Sequence, residues 1–202
     1  MSIKKANEQD EIQEIINAIQ SQQYISIEEA EFFLKNTRIV KVKKGQFLLR
    51  EWQIAKNCYY LYKGCVREFC LKDGEEITTE FYTVGDSLSD DVSKLNNVPS
   101  QFNWECAVDC IVSVVPVEIE REMYKRFPRL ETLCRIEAER KLGEFKHTVN
   151  HYMASTPEER YENLRQNRPE LFELVPQYHI ASYLGVKPES LSRIRKKLQT
   201  KS

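Results

Sequence analysis

The chain of 202 residues has no long hydrophobic run. Its purely apolar stretches are a few residues long, such as Ile111-Val112, whereas a helix needs roughly 18 apolar residues to cross a bilayer. The N-terminal segment 1–5 leads into a charged stretch and lacks the apolar core of a secretory signal. We therefore expect a cytoplasmic protein that does not associate with membranes.

Metal-binding and catalytic spacings are also missing. The six cysteines form no Cys-x-x-Cys pair, so we expect them to be reduced and to act as apolar core residues. No histidine lies between Arg38 and Pro116, which disfavours a cupin-like metal oxygenase, and there is no Ser/His/Asp spacing, phosphate-cradling loop or H-E-x-x-H motif. His147 and His151 share a predicted helix but lack a third ligand. The sequence therefore predicts neither an enzyme nor a metal or cofactor site.

A large excess of one charge is absent as well, because 30 basic and 31 acidic residues give a formal net charge of −1. This balance argues against a protein that coats nucleic acid with its whole surface. The charges are nevertheless sorted along the chain. Residues 1–38 carry four basic and seven acidic residues, whereas residues 187–202 carry six basic residues and one acidic residue. A basic end on a nearly neutral protein favours a local polyanionic partner.

Helical periodicity is present over residues 8–36. Isoleucines recur at three- and four-residue spacing from Ile12 to Ile19, so they share one helix face. Ser26 followed by Glu29 is a capping-box pattern, which predicts the start of a second helix.

Residues 38–117 change to short runs that are rich in β-branched and aromatic residues, with glycine turns between them. Strands at intervals of roughly 8–12 residues are typical of an all-β sandwich or barrel. Asp73-Gly74 predicts a hairpin, because this pair suits the positive φ angles of a type I′ turn. The predicted strands are Arg38–Val42, Phe47–Glu51, Cys58–Tyr62, Val66–Leu71, Glu76–Tyr82, Phe102–Val108 and Cys110–Pro116.

A long helix is predicted from Arg129 to Ala154, with an apolar stripe of about six turns. The stripe could pack on the chain's own β domain or form a two-helix dimer seam. We favour the dimer, because the chain contains no equally long partner helix. The predicted seam residues are Leu130, Cys134, Ala138, Leu142, Phe145, Val149 and Tyr152.

Residues 177–198 carry the pattern of a helix-turn-helix. Ala181 is small where the two helices approach each other, and Gly185 permits the left-handed backbone that ends the first helix. Val186 fills the turn, and Pro188 begins the second helix at a position where its missing N–H costs nothing. The predicted shared core consists of Ile180, Leu184, Leu191 and Ile194.

Polar residues on the outer face of the second helix are candidates for reading DNA. Arg193 can donate two hydrogen bonds to guanine O6 and N7, and Glu189 can accept one from a cytosine amino group. The predicted base-reading residues are Glu189, Ser190, Ser192 and Arg193. The predicted contacts to the DNA backbone are Tyr178, Lys187, Arg195, Lys196 and Lys197, with Lys201 as a further phosphate-neutralising residue.

The order of these parts resembles the CRP/FNR family of bacterial transcription regulators, in which a β-roll sensor, a long dimer helix and a winged helix-turn-helix follow one another. The glycine turns from Lys44-Gly45 to Val84-Gly85-Asp86 are similar to those of the family's roll. Glu189, Ser192 and Arg193 match its base-reading Glu-x-x-Ser-Arg pattern in the FNR-like form.

The resemblance implies an α+β fold with a jelly-roll-like sensor domain, a dimerisation helix and a helix-turn-helix domain. We place these parts at residues 1–128, 129–155 and 156–202, because Thr156-Pro157 is a strong helix start. The implied function is transcription regulation by a homodimer on a pseudo-palindromic double-stranded DNA site, with half-sites of the TTGA kind. RNA polymerase and a small-molecule effector are the further partners that it implies.

The chain departs from the cyclic-nucleotide binders of that family. Those proteins carry a Phe-Gly-Glu segment and then an Arg-Ser or Arg-Thr pair that holds the cyclic phosphate, whereas Ser89 and Asp90 stand here at the Gly and Glu positions and Ser100 stands at the arginine position. A buried phosphate without its arginine would cost several kcal/mol. We therefore expect no usual binding of cyclic AMP. The candidate effector-pocket residues are Tyr82, Leu88, Ser89, Asp90, Ser100 and Gln101.

One alternative keeps the same fold with a different function. The helix-turn-helix would then serve protein contacts or ligand sensing without reading DNA. The basic C-terminal segment disfavours this alternative, and a salt-dependent gel-shift assay separates the two.

Overall fold

The computed structural model describes the backbone of residues 2–21 and 25–199 and the side chains of residues 11–20 and 25–199. Residues 22–24 of the predicted helical region and Lys201 lie outside the described residues.

Two helices precede the β region, α1 (Ser2–Ser21) and α2 (Ile27–Asn36). The capping box at α2 is present, because the Ser26 hydroxyl accepts from the Glu29 N–H at 3.2 Å and the Glu29 carboxylate accepts from the Ser26 N–H at 2.7 Å. Ile19, on the predicted apolar face of α1, is buried.

The β region forms two four-stranded antiparallel sheets that face each other. Their orders are β1-β8-β3-β6 and β2-β7-β4-β5. The predicted β-roll is confirmed. The strands are β1 (Arg38–Val42), β2 (Phe47–Leu49), β3 (Asn57–Lys63), β4 (Val66–Lys72), β5 (Glu75–Tyr82), β6 (Ser87–Leu88), β7 (Asn103–Cys106) and β8 (Cys110–Pro116).

The turns of the roll depend on backbone conformations that favour glycine. Asp73 (φ 54°) and Gly74 (φ 82°) both have positive φ, as the hairpin between β4 and β5 requires. At Gly64, a Cβ atom would lie 2.6 Å from the Cys110 sulfur, so a larger residue would push two strands apart. These turns hold the strands in register.

The roll has an apolar core between its sheets. Its fully buried members include Leu61, Val66, Leu88, Trp104 and Val112. Strand β8 is almost entirely buried because it lies between β1 and β3 and faces the opposite sheet.

A short helix, α3 (Asp91–Asn96), was not predicted from the sequence. The Asp90 side chain caps it by accepting from the Ser93 N–H at 3.0 Å, and Asn97 ends it in a left-handed conformation. Strand β6 was also not predicted, because two residues are too few to show a period.

The remaining elements are helices, and α5 is by far the longest of them. It contains 27 residues, none of which is buried within the chain. The helices are α4 (Val117–Arg126), α5 (Pro128–Ala154), α6 (Pro157–Asn167), α7 (Leu171–Leu174), α8 (Gln177–Tyr183) and α9 (Pro188–Gln199). None of the described helices is long and apolar enough to cross a membrane.

The C-terminal helices share a core with the roll. Leu171, Ile180 and Leu191 are almost fully buried in one cluster that also contains Cys65 and Phe81 of the roll. The roll and the helix-turn-helix are therefore packed against each other, with α8 lying on β5.

Candidate functional site

Helix α9 has one buried face and one exposed face. Leu191 and Ile194 are buried, at 2% and 7% exposure, and they pack against the rest of the helix-turn-helix. Glu189, Ser192 and Arg193 are exposed, and Ser190, the fourth predicted base-reading residue, is half-buried. The second helix of the motif thus presents a polar surface at its N-terminal half, where such helices meet base edges.

The turn before α9 has the geometry that its sequence requires. Gly185 has φ +67°, and its N–H donates to the Ser182 carbonyl at 3.0 Å. The Val186 N–H donates to the Ala181 carbonyl at 2.9 Å, which closes the end of α8. A Cβ atom on Gly185 would lie 2.5 Å from the Tyr152 hydroxyl, so this turn also packs against the end of α5.

The residues predicted to contact the DNA backbone are exposed. Tyr178 is 57% exposed at the start of α8. Lys187, Arg195 and Lys196 are exposed as well. Lys197 forms an ion pair with Glu158 of α6 at 3.2 Å, so part of its charge is balanced within the chain.

The predicted seam residues of α5 are left largely uncovered by the chain itself. Leu142 is 54% exposed and Phe145 64% exposed, and Val149 is also exposed. Cys134 and Ala138 are exposed, and Leu130 is half-buried. The exposure of an apolar stripe of this length to water is unfavourable in free energy. The stripe is therefore a candidate surface for binding a partner.

Tyr152, at the end of the stripe, has contacts within the chain. The Arg160 guanidinium lies 4.1 Å from the centre of its ring, and its hydroxyl faces Gly185. Sequence reasoning missed this role. It also missed that Leu133, Ile136 and Met153 of α5 are exposed, because they fall outside the four- and three-residue steps of the stripe.

A buried arginine joins the roll to the helix-turn-helix. Arg67 of β4 is 2% exposed, and its guanidinium lies 2.8 Å from His179 Nδ1 on α8. It also forms ion pairs with Glu76 at 2.5 Å and Glu105 at 2.9 Å. Burial and then the charge of Arg67 lower the pKa of His179 to about 4. The ring is therefore neutral near pH 7.

A second set of contacts ties the same two parts together. Arg168 donates to the Glu80 carboxylate at 2.9 Å and to the Phe81 carbonyl at 2.5 Å. Burial raises the pKa of Glu80, and the charge of Arg168 opposes this effect. The Ser182 hydroxyl accepts from the Thr78 N–H at 2.9 Å, which places α8 along β5. The sequence offered no signal for these contacts, because they join segments about 100 residues apart.

Several candidate effector-pocket residues have structural partners. Leu88 is fully buried in the roll core, and the Tyr82 hydroxyl donates to Glu68 at 3.0 Å. Asp90 caps α3, and Ser89 donates to Asp91 at 2.8 Å. Gln101 is exposed.

A shallow cleft of about 570 Å³ lies elsewhere on the roll, between its edge strands β1 and β2. Arg38, Phe47, Arg50 and Tyr59 are among its lining residues, and none of the six candidate pocket residues lines it.

No cation stands at the position where an arginine would hold a cyclic phosphate. Ser100, at the position expected to hold an arginine, is 2% exposed, and its hydroxyl is satisfied by the backbone of Phe102 at 3.1–3.2 Å. Asp90, another of the candidate pocket residues, is acidic and caps α3. Lys94 is engaged in ion pairs with Asp91 and Glu120, so its charge is already balanced.

The cysteines and histidines form no candidate metal centre among the described residues. All six cysteines are free thiols. Cys65, Cys106 and Cys110 are buried, as expected of apolar core residues, whereas Cys134 is exposed on α5. The hydroxyl of Ser155 lies 3.1 Å from the His151 ring.

Comparisons with known proteins agree with this architecture. Residues 39–127 match the family model described as "Cyclic nucleotide-binding domain". No curated protein sequence matches the chain.

Solved structures with a similar fold cover nearly the whole chain. The c-di-GMP responsive global regulator CLP of Xanthomonas campestris is 15% identical, with a TM-score of 0.68, over 87% of this chain and 93% of that chain. A putative transcriptional regulator of the CRP/FNR family from Eubacterium rectale is 16% identical, with a TM-score of 0.67, over 89% of each chain. The Thermus thermophilus Catabolite Activator Protein is 16% identical, with a TM-score of 0.54, over 91% of this chain and 87% of that chain. The predicted fold, in which a β-roll is followed by a long helix and a helix-turn-helix domain, is thereby confirmed.

Proposed function

We propose that this protein is a cytoplasmic transcription regulator of the CRP/FNR family, which binds a pseudo-palindromic double-stranded DNA site as a homodimer and is not gated by cyclic AMP. The fold is that of such regulators, and the family match over the roll is consistent with a sensor domain. An effector of the roll and RNA polymerase are the further partners that this function implies.

The observation that carries the proposal is the two-faced surface of α9. Its apolar residues Leu191 and Ile194 are buried in the helix-turn-helix core, which leaves Glu189, Ser192 and Arg193 exposed on a rigid helix. A purely structural helix at the end of a domain needs no such set of base-recognising side chains. A side chain must be exposed to read DNA, because a buried side chain cannot reach a base edge.

Base recognition follows from the chemistry of these side chains. Arg193 presents a planar fork of donors, which matches guanine O6 and N7, and Glu189 offers acceptors for a cytosine amino group. The surrounding cations neutralise phosphates and fix the register of the helix in the major groove. Each subunit would thus read one half-site.

Dimerisation follows from the uncovered stripe of α5. If two copies of α5 pair through Leu142, Phe145 and Val149, these apolar side chains are removed from water, which stabilises the dimer. We expect the symmetry of such a dimer to set two α9 helices on the same side, about one DNA turn apart. Tyr152 and its contact with Gly185 would link this seam to the reading helix.

Independence from cyclic AMP rests on the contacts of Ser100 and Asp90. Neither side chain is a cation, and both already have backbone partners. Arg168, Arg67 and Lys94 are held in ion pairs of their own. A cyclic phosphate would therefore meet acidic and neutral groups at the expected place.

Selection from a pool of randomised DNA duplexes tests the proposed function. We expect the full-length protein to enrich an inverted repeat, and its affinity to fall steeply as salt is raised. Retention that is independent of salt, or enrichment of no sequence, would instead favour the protein-interaction alternative.

A further inference from the structure

The cleft of about 570 Å³ between β1 and β2 lies at an open edge of the roll. Strand β1 is the outer strand of one sheet, and β2 is the outer strand of the other. Each of these strands pairs with a neighbour on one side, β1 with β8 and β2 with β7, which leaves its other side to the cleft. The volume of the cleft is within the range that is usual for sites of small organic molecules.

The most buried lining residues, Tyr59 and Val114, form an apolar floor. Val42 and Leu48 also line the cleft and pack against the roll core. The Tyr59 hydroxyl donates to the Leu48 carbonyl at 2.8 Å, so its polar group is satisfied by the opposite sheet. Burial raises the pKa of Tyr59, and the hydroxyl therefore stays neutral near pH 7. This floor suits a hydrocarbon or aryl group.

Two arginines line the same cleft. Arg38 lies opposite Val114 in the register of β1 and β8, and Val114 lies opposite Tyr59 in the register of β8 and β3. Directly opposite residues share a face of the sheet, so Arg38 extends the row of the apolar floor. Arg50, directly after β2, has its guanidinium 3.8 Å from the centre of the Phe47 ring. This stacking orients the guanidinium and leaves the N–H groups at its edge available to an acceptor.

The positive charge of the cleft is not balanced by the chain. Among the described residues, the lining contains both arginines and no Asp or Glu. Neither Arg38 nor Arg50 forms an ion pair within the part of the chain that the structure describes. Lys41 of the same strand β1, in contrast, is paired with Glu11. An anion that enters the cleft therefore meets two guanidinium groups that have no carboxylate of their own.

We propose that this cleft binds a small monocarboxylate with a hydrocarbon or aryl body. The carboxylate would accept from the guanidinium groups of Arg38 and Arg50, whose paired N–H donors match its two oxygens. The apolar body would cover Tyr59 and Val114 and remove them from water. The site differs from the predicted effector pocket, because none of the six residues of that pocket lines it. The inference goes beyond the proposed function and does not depend on DNA binding.

Both parts of such a ligand are needed. The cleft is shallow, so an uncharged hydrocarbon would keep part of its surface in water. A small anion without an apolar body would form ion pairs with exposed arginines only, and such pairs contribute little net free energy. The ligand must therefore combine the charge with the apolar body.

The test titrates the full-length protein, labelled at its methyl groups, with hexanoate and follows the methyl resonances by NMR. Val42, Leu48 and Val114 line the cleft, so the shifts of their methyl groups report its occupancy. We expect saturable shifts at these three residues, with a dissociation constant in the millimolar range. Hexanamide has the same chain without the charge, and acetate has the charge without the chain. Each should bind at least about tenfold more weakly than hexanoate.

Two substitutions test the arginines directly. Arg38→Gln and Arg50→Gln should each weaken hexanoate binding about tenfold, because each removes a charge-assisted hydrogen bond. Arg121→Gln is the matched control, since it removes an exposed arginine of α4 that does not line the cleft, and it should bind hexanoate like the wild type. The methyl resonances away from the cleft show whether each variant is folded.

Four results would overturn the proposal. The first is the absence of a saturable shift at Val42, Leu48 and Val114 when hexanoate is added to the wild type. The second is hexanamide binding as tightly as hexanoate, which would leave the arginines without a role. The third is acetate binding as tightly as hexanoate, which would leave the apolar floor without a role. The fourth is wild-type affinity in folded Arg38→Gln and Arg50→Gln variants. The titrations contain no DNA, so a failure of the proposed function would not change their outcome.

Discussion

In the proposed function, Arg193 is the residue on which sequence recognition depends most directly. It is exposed on α9, one position before the buried Ile194, so the packing of the helix fixes its direction without covering it. Arg195 is also exposed, two positions further along the helix, and is a predicted contact to the DNA backbone. The two arginines therefore allow a comparison of base reading with phosphate neutralisation within one helix.

We expect Arg193→Ala to cost about 1–3 kcal/mol of binding free energy and to relax specificity at one base pair in each half-site. Arg195→Ala should weaken binding to all sequences equally and reduce the salt slope. Affinities for a set of single-base variants of the selected site measure both effects. A uniform loss for Arg193→Ala would reassign this residue to the backbone.

At the scale of elements, α5 combines length with an uncovered apolar stripe. Phe145 is 64% exposed near the middle of the stripe, and successive residues turn by about 100°, which places His147 nearly opposite it on the helix. Both residues are exposed in the chain, so a charge at either position should be tolerated by the monomer.

We expect Phe145→Glu to convert the dimer to a monomer. The new carboxylate would be buried in the seam, beside either the same residue of the second copy or an apolar side chain, and this burial is unfavourable. His147→Glu introduces the same side chain on the opposite face and should leave the dimer intact. Sedimentation velocity at several concentrations measures the association state. A dimeric Phe145→Glu variant would show that α5 is not the seam.

The sequence predicted elements well where a local pattern was enough. The glycine turns, the capping box at Ser26 and the helix start at Pro188 depend on neighbouring residues, and all of these are present. Strand β6 and helix α3 were missed, because elements of two and six residues show too little periodicity.

Contacts between distant segments could not be predicted in the same way. Arg67 lies in a strand pattern where an arginine would ordinarily face solvent, yet it is buried against α8. The candidate base-reading residues were identifiable because they lie within one helix. The effector pocket could not be located, since it depends on how side chains from several strands meet.

At the scale of the whole molecule, the roll and the helix-turn-helix behave as one packed unit. His179 lies at their contact as a neutral ring beside Arg67, with a pKa of about 4 in the folded protein. In the unfolded chain, its pKa would be about 6.5. Below pH 6.5, the unfolded state therefore takes up a proton that the folded state does not.

We expect the free energy of unfolding to fall between pH 6.5 and about 4, and His179→Gln to reduce this loss by about 1–2 kcal/mol. This free energy is smaller than the value that corresponds to the full difference between the folded and unfolded pKa, because solvent partly screens the half-buried ring. Urea unfolding at a series of pH values measures the effect, and the difference between variant and wild type separates it from the titration of carboxylates. His147→Gln is the matched control, because it removes an exposed imidazole of α5 that lies outside this contact. Equal pH profiles for His179→Gln and wild type would mean that this contact does not keep the ring neutral.

In the proposed complex, two α9 helices, held apart by paired α5 helices, read two half-sites on one side of the duplex. The most direct measurement is the affinity of the wild-type protein for the selected site with and without five base pairs inserted between the half-sites. The insertion moves one half-site to the opposite side of the duplex, since a turn contains 10–10.5 base pairs. We predict a loss of roughly 100-fold, because one of two specific contacts is given up. An unchanged affinity would mean that the two half-sites are not read together from one side of the duplex.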